Sequence, residues 1–262
     1  MNNNRTDHSH IVRAYDKELV EIDSMIATMG GYCETVLSDA LLSLRQRNPD
    51  LAEDTILLDE KINQLDIDIE ESAIRMIALR QPMAQDLRQL LGAIRIATDL
   101  ERIGDLGKNL AKRAITVSQE KHPKPIRKDL KRMGKLVRRQ LKDALDAYVQ
   151  RDAQKALEVW EGDEEVDDMY TSIFRELLTY MMEDPRNITL CTHLLFGARN
   201  LERIGDHTTH IAQNVYFLVE GEKIGKKRPK SDDTSAIQVN AAPSQAAKTP
   251  KTPKAAKTSQ SS

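Results

Sequence analysis

The sequence predicts an all-α protein: two pseudo-repeated three-helix bundles, six long helices in all, followed by a disordered C-terminal tail. Three observations carry this. Apolar residues recur at spacings of three and four over long stretches, a hexapeptide is written twice, and the chain holds only 4% aromatics and 11 glycines. Sheets and nucleotide-binding α/β domains lean on turn glycines and on aromatic or β-branched strands, so this composition argues against them. With 262 residues, 40% of them apolar, the chain can bury a sizeable core.

The first helix is read from Leu19, Ile22, Ile26, Met29, Cys33, Val36, Ala40 and Leu44, one face of a 3.6-residue period. Leu58, Ile62, Leu65, Ile69, Ala73 and Met76 mark the second, and Leu87, Leu90, Ile94 and Ala97 the third, all before residue 120. Pro49, Pro82, Pro123, Pro125 and Pro185 interrupt these patterns and mark helix boundaries. The stretch Lys121-His122-Pro123-Lys124-Pro125 reads as the junction between bundles over residues 10–120 and 126–222. Beyond it, helices are expected over about 127–150, 153–182 and 187–219, with Asp184 as cap and Pro185 at the first helical position.

The near-neutral total charge is uneven. Residues 226–262 hold eight basic residues against two acids, which leaves 31 basic against 39 acidic residues in the first 225. An acidic folded part makes a nucleic-acid groove an unpromising role. The Ala, Lys, Thr, Pro, Ser and Gln of residues 226–262 have almost nothing to bury, so this segment is expected to be disordered. Cys33 and Cys191 stand in no metal or redox spacing, and no stretch approaches the roughly 18 consecutive apolar residues of a membrane span. The expectation is a cytoplasmic protein without direct membrane insertion.

The repeat is explicit. Leu100-Glu101-Arg102-Ile103-Gly104-Asp105 recurs letter for letter as Leu201-Glu202-Arg203-Ile204-Gly205-Asp206, so one helical unit has been duplicated. On a helix, Leu87, Leu90, Ile94, Ala97 and Asp105 all fall within about 40° of Glu101, and the second copy behaves alike. Each half thus sets a Glu and an Asp, four apart, at the end of an apolar stripe. Asp59 with Asn63, and Asp163 with Asp167, supply oxygens at the same spacing from the partner helices. Carboxylates one turn apart repel by a few tenths of a kcal/mol even in water, so four facing one another call for a cation, protons or open solvent.

Three readings of these acids compete. They pair with Arg102, Lys108, Arg199 and Arg203 as surface ion pairs, although Lys108 on the Glu101 face has only Thr209 as its counterpart. Alternatively, the bundle is a metal-storage or di-iron protein, a chemistry that normally shows Glu-x-x-His, whereas Gly104 and Gly205 stand three residues after Glu101 and Glu202. The third reading is a non-redox oxygen-ligand site, which His207 and His210 could extend in the second half. The two glycines, which cost about 1 kcal/mol each against Ala inside a helix, are expected to permit close helix approach or metal access. No glycine-rich phosphate loop, nucleophile elbow or catalytic triad spacing is written in the chain, so no enzyme is expected.

Across residues 10–222 the sequence resembles the PhoU family, the phosphate-specific transport system accessory proteins of bacteria. The resemblance is carried by the twice-written hexapeptide, by Arg80-Gln81-Pro82 with Asp86-Leu87-Arg88, and by Leu178-Thr179-Tyr180-Met181-Met182-Glu183-Asp184. It implies two three-helix bundles, each holding metal through a Glu/Asp-xxx-Asp motif from two helices. Glu101 and Asp105 with Asp59 and Asn63 would form one site, and Glu202 and Asp206 with Asp163 and Asp167 the other, with iron or zinc as the metal and manganese or magnesium also compatible. Asn63 departs from the pattern, being neutral and a weaker ligand. The resemblance further implies a homodimeric negative regulator linking the ATP-binding subunit of the phosphate ABC transporter to a sensor histidine kinase.

Overall fold

A computed structural model describes residues 4–225, with side chains from Tyr15 onward; the tail expected to be disordered, residues 226–262, lies outside the described residues. The first half comprises α1 (Asn4–Gln46), α2 (Pro49–Leu57), α3 (Asp59–Arg80) and α4 (Ala84–Thr116). The second comprises α5 (Lys124–Gln150), α6 (Ala153–Glu161), α7 (Glu164–Glu183), a 3-10 turn at Pro185–Asn187 and α8 (Ile188–Glu220). Asp184 caps that turn by accepting from the Arg186 N–H at 3.0 Å, so Pro185 opens the turn rather than α8 itself.

The same local devices end the first helix of each half. Arg47 and its counterpart Arg151 both adopt positive φ, 56° and 54°, which breaks the helix ladder. Asn48 and Asp152 then cap α2 and α6, accepting from the N–H groups of Leu51 at 3.2 Å and Lys155 at 3.0 Å.

The structure corrects the second rod of each half. The reading of an unbroken helix over 153–182 fails at Gly162, and the first-half rod is jogged in the same place, at Leu58. Leu58 keeps helical backbone and Gly162, at φ -81° and ψ 5°, departs from it only modestly, but the ladder tightens: Leu58 N–H donates to the Thr55 carbonyl and Val166 N–H to the Asp163 carbonyl. A local switch to three-residue hydrogen bonding bends a rod without ending it. Leu58 and Gly162 lie inside apolar and acidic runs whose periodicity continues across the bend, so the spacing alone does not reveal it.

Each bundle packs α3 or α7 onto its long third helix, α4 or α8. The two bundles meet through α1 with α5 and through α4 with α8, the latter being the most extensive helix pair. The α1–α5 contact is reciprocal. Gly30 lies under Leu145, and its counterpart Gly134 lies under Leu41, so that a methyl group at either would come within 2.7 and 2.5 Å of the leucine. Equivalent residues exchanging places in this way define a pseudo-two-fold relation between the halves. Ile26, Met29, Leu37, Ile62 and Leu100 fill the first core, and Val137, Leu141, Val166 and Leu201 the second. Tyr148 and Arg151 of the second half both hydrogen-bond to Asp23 of α1.

Candidate functional site

The bend in each second rod brings an aspartate against the twice-written hexapeptide. Asp59 opens α3 and Asp163 caps α7; both are buried. Facing them, Gly104 of α4 and Gly205 of α8 have no side chain. A Cβ at Gly104 would stand 3.6 Å from Asp59 Oδ1 and one at Gly205 3.5 Å from Asp163 Oδ1, with Ile62 and its counterpart Val166 closing the same gap. Gly104 therefore serves close helix approach, a role expected from the sequence, whereas the gap at Gly205 is wide enough for a methyl group.

In the first site Lys108 supplies the cation. Its ammonium bridges Asp59 Oδ2 and, at 2.7 Å, Asp105 Oδ1, while Asn63 donates its amide to Asp59 Oδ2 at 3.2 Å. Burial alone would lower the Lys108 ammonium, but the hydrogen bonds to Asp105 and Asp59 outweigh it and hold it above its usual range. Glu101 pairs with Arg102 at 3.4 Å. Burial pushes the Glu101 carboxyl up, Arg102 opposes this, and the charges of Asp105, Asp66 and Asp59 add to the rise. The buried Oδ1 atoms of Asp59 and Asn63 have no hydrogen-bond donor. Asp59, Asn63 and Asp105 are thus drawn together around a lysine, and Glu101 joins them through its charge.

The second site is built differently on the same frame. Asp163, Asp167 and Glu202 are all buried, with Asp206 half-buried one turn beyond Glu202. Arg199 reaches Glu202 from the rim at 3.1 Å while stacking on the Tyr170 ring. Thr209, in the place of Lys108, turns its hydroxyl onto the Asp206 carbonyl at 2.8 Å. The added element is Gln140 of α5, which stands where the first half has Val36. It donates to the Gly162 carbonyl at 2.9 Å, and its buried Oε1 lies at the Gly205 cleft with no donor. Carboxylates with an amide oxygen beside them are the oxygen-donor chemistry that hard or borderline cations take. The second set brings together four acids and an amide oxygen, whereas the first has three acids, two of them bridged by an ammonium.

The ion-pair reading of these acids holds in part: Arg102 contacts Glu101, Lys108 contacts Asp59 and Asp105, and Arg199 contacts Glu202. His207 and His210 do not extend the second site, since both are turned toward Asp99 of α4.

Residues 26–114 and 130–215 each match the PhoU domain, and together they span more than half of the chain. The chain belongs to the PhoU family. It is similar to the phosphate-specific transport system accessory protein PhoU homolog of Rhizobium meliloti (strain 1021), 49% identical over 230 residues covering 88% of this chain and 97% of the relative. The protein of the same description from Caulobacter vibrioides (strain NA1000 / CB15N) is 48% identical over 223 residues, 85% of this chain and 97% of the relative. Among solved structures, PhoU from Pseudomonas aeruginosa superposes with a TM-score of 0.77 at 38% identity, covering 79% of this chain and all of the other. The phosphate transport system regulatory protein PhoU from Streptococcus pneumoniae gives a TM-score of 0.75 at 30% identity, with 81% of this chain and 100% of that one covered. PhoU proteins are accessory and regulatory proteins, and this member is not an enzyme.

Two features of this PhoU chain lie outside the residues singled out from sequence. Gln140 was inside an apolar stripe, and only its alignment with Val36 would have exposed it. The other is a groove between α1 and α5 with Leu41, Leu44 and Leu130 on its floor and Arg45, Arg127, Lys131, Lys135 and Arg138 around it, and no acid in its lining. The spacing of residues 127, 131, 135 and 138 along one helix face was the available signal, hidden by the net acidic charge of residues 1–225. No helix among the described residues is long and apolar enough to cross a membrane.

Proposed function

We propose that the chain is a negative regulator of phosphate uptake and of the phosphate-starvation response, a cytoplasmic homodimeric adaptor between the ATP-binding subunit of a phosphate ABC transporter and a sensor histidine kinase. The observation that carries this is the match along 97% of a relative described as a phosphate-specific transport system accessory protein. Bundles over residues 10–120 and 126–222 act as two faces of one adaptor. The α1–α5 groove, apolar below and basic at its rim, suits an acidic amphipathic helix of a partner. The donor sets of the two bundles would hold iron, zinc, manganese or magnesium, the second more firmly, and a bound ion would tie α7 to α8 and so fix the surface offered to partners. The absence of Glu-x-x-His in either hexapeptide and the lysine in the first site weigh against the storage and di-iron alternatives.

The test is complementation. In a bacterium lacking its own homologue, this chain should restore repression of a phosphate-starvation reporter in phosphate-rich medium. The Lys131→Glu/Lys135→Glu/Arg138→Glu variant, folded by circular dichroism, should fail to do so. Full repression by that variant would remove the groove from the reading, and failure of the wild-type chain would remove the adaptor function itself.

A further inference from the structure

Across the interface between the bundles, Asp99 of α4 meets two imidazoles of α8. Its Oδ1 lies 2.9 Å from His207 Nδ1 and 3.6 Å from His210 Nδ1. The two rings stand perpendicular with centroids 5.7 Å apart, and one ligand atom from each of the three residues lies within 4.8 Å of the others. Asp99 and His207 are largely buried, whereas the His210 side chain is 50% exposed.

We propose that Asp99, His207 and His210 form a binding site for a borderline divalent cation of the zinc class, distinct from the carboxylate sites and independent of the adaptor reading. The spacing fits. Bonds of about 2.0–2.1 Å in tetrahedral geometry hold neighbouring ligand atoms about 3.3 Å apart, a value bracketed by the two Asp99 distances. Two imidazoles and one carboxylate select zinc, cobalt or nickel over magnesium and calcium. The exposed side of His210 leaves the remaining position to water.

The repeat provides an internal control. The counterparts of Asp99, His207 and His210 are Asn200, Leu106 and Asn109, and Leu106 and Asn200 are buried at the pseudo-symmetric place in the interface. The fold therefore closes this interface once with a leucine and asparagines and once with a ligand set. An ion there joins α4 of the first bundle to α8 of the second and couples metal availability to the fit between them.

The experiment uses the untagged full chain stripped of metal and titrated with Co2+, read by its visible d–d absorption and by zinc competition. One equivalent of low-coordinate Co2+, displaced by zinc, is expected, together with a zinc-dependent rise in melting temperature. His207→Leu and His210→Asn install the residues of the other repeat and so preserve packing; with Asp99→Asn, each should weaken binding about tenfold to a hundredfold or more and abolish the zinc-dependent rise. The Glu202→Gln/Asp206→Asn variant should keep the Co2+ spectrum. Loss of the spectrum in that variant but not in the histidine variants would overturn the proposal in favour of the carboxylate site. Absence of any Co2+ spectrum in the wild-type chain would reduce the triad to a hydrogen-bonded clasp.

Discussion

The two acidic sites are made from the same hexapeptide on the same kind of helix, yet a lysine bridges two acids of one, whereas the other carries a fourth acid and a buried glutamine amide. In the first, Lys108 bridges Asp59 and Asp105, and Asn63 replaces an acid. In the second, Thr209 withdraws onto its own backbone, Asp167 restores the acid, and Gln140 adds a buried amide oxygen. A duplicated frame thus separates two tasks that are usually entangled. The bent rod and the glycine opposite it position the oxygens, and the residues placed among them set the charge of each site.

The sharpest way to break this comparison is metal content by elemental mass spectrometry. Glu202→Ala/Asp206→Ala should remove metal from the second site, whereas Glu101→Ala/Asp105→Ala should change the total much less. Equal losses from both pairs would erase the distinction. Next in size is Lys108→Ala, which leaves the Asp59 carboxylate, 5% exposed, without its cation. Removing one partner of a buried pair typically costs about 3–5 kcal/mol, and the partial exposure of Asp105 places this one near the lower end. Thr209→Ala should cost well under 1 kcal/mol, since it removes only a local hydroxyl contact. Urea unfolding of both variants measures the gap.

The smallest effect concerns the glycines. Replacing either by Ala gains about 1 kcal/mol of helix propensity. At Gly104 the new methyl would meet the end of Ile62 at 2.9 Å, while at Gly205 the nearest atom, on Val166, is 3.4 Å away. Gly205→Ala should therefore be neutral or slightly stabilising, and Gly104→Ala net destabilising by about 1 kcal/mol. Matching denaturation midpoints for the two variants would show that the two clefts are equally wide.

Much of this architecture was legible in the sequence because it is local and periodic. The apolar stripes gave the rods, prolines and caps gave their ends, and the identity of residues 100–105 with 201–206 gave the duplication. Lys108 was half legible, since its helix face follows from spacing while its reach to Asp59 does not. The bends at Leu58 and Gly162 were hidden because a few tightened hydrogen bonds leave the apolar register intact. Asp99 meeting His207 and His210 was illegible for another reason. It depends on the register between two helices about a hundred residues apart, which a single sequence does not encode in any period.

The reciprocal seating of Gly30 under Leu145 and Gly134 under Leu41 has an evolutionary corollary. Two separate chains meeting about such an axis would carry every substitution twice, so a lysine that seals one acidic cleft would seal both. Tandem fusion within one polypeptide lifts that constraint. Each half can then drift on its own while the seam between them stays complementary, so that the two clefts come to hold different residues.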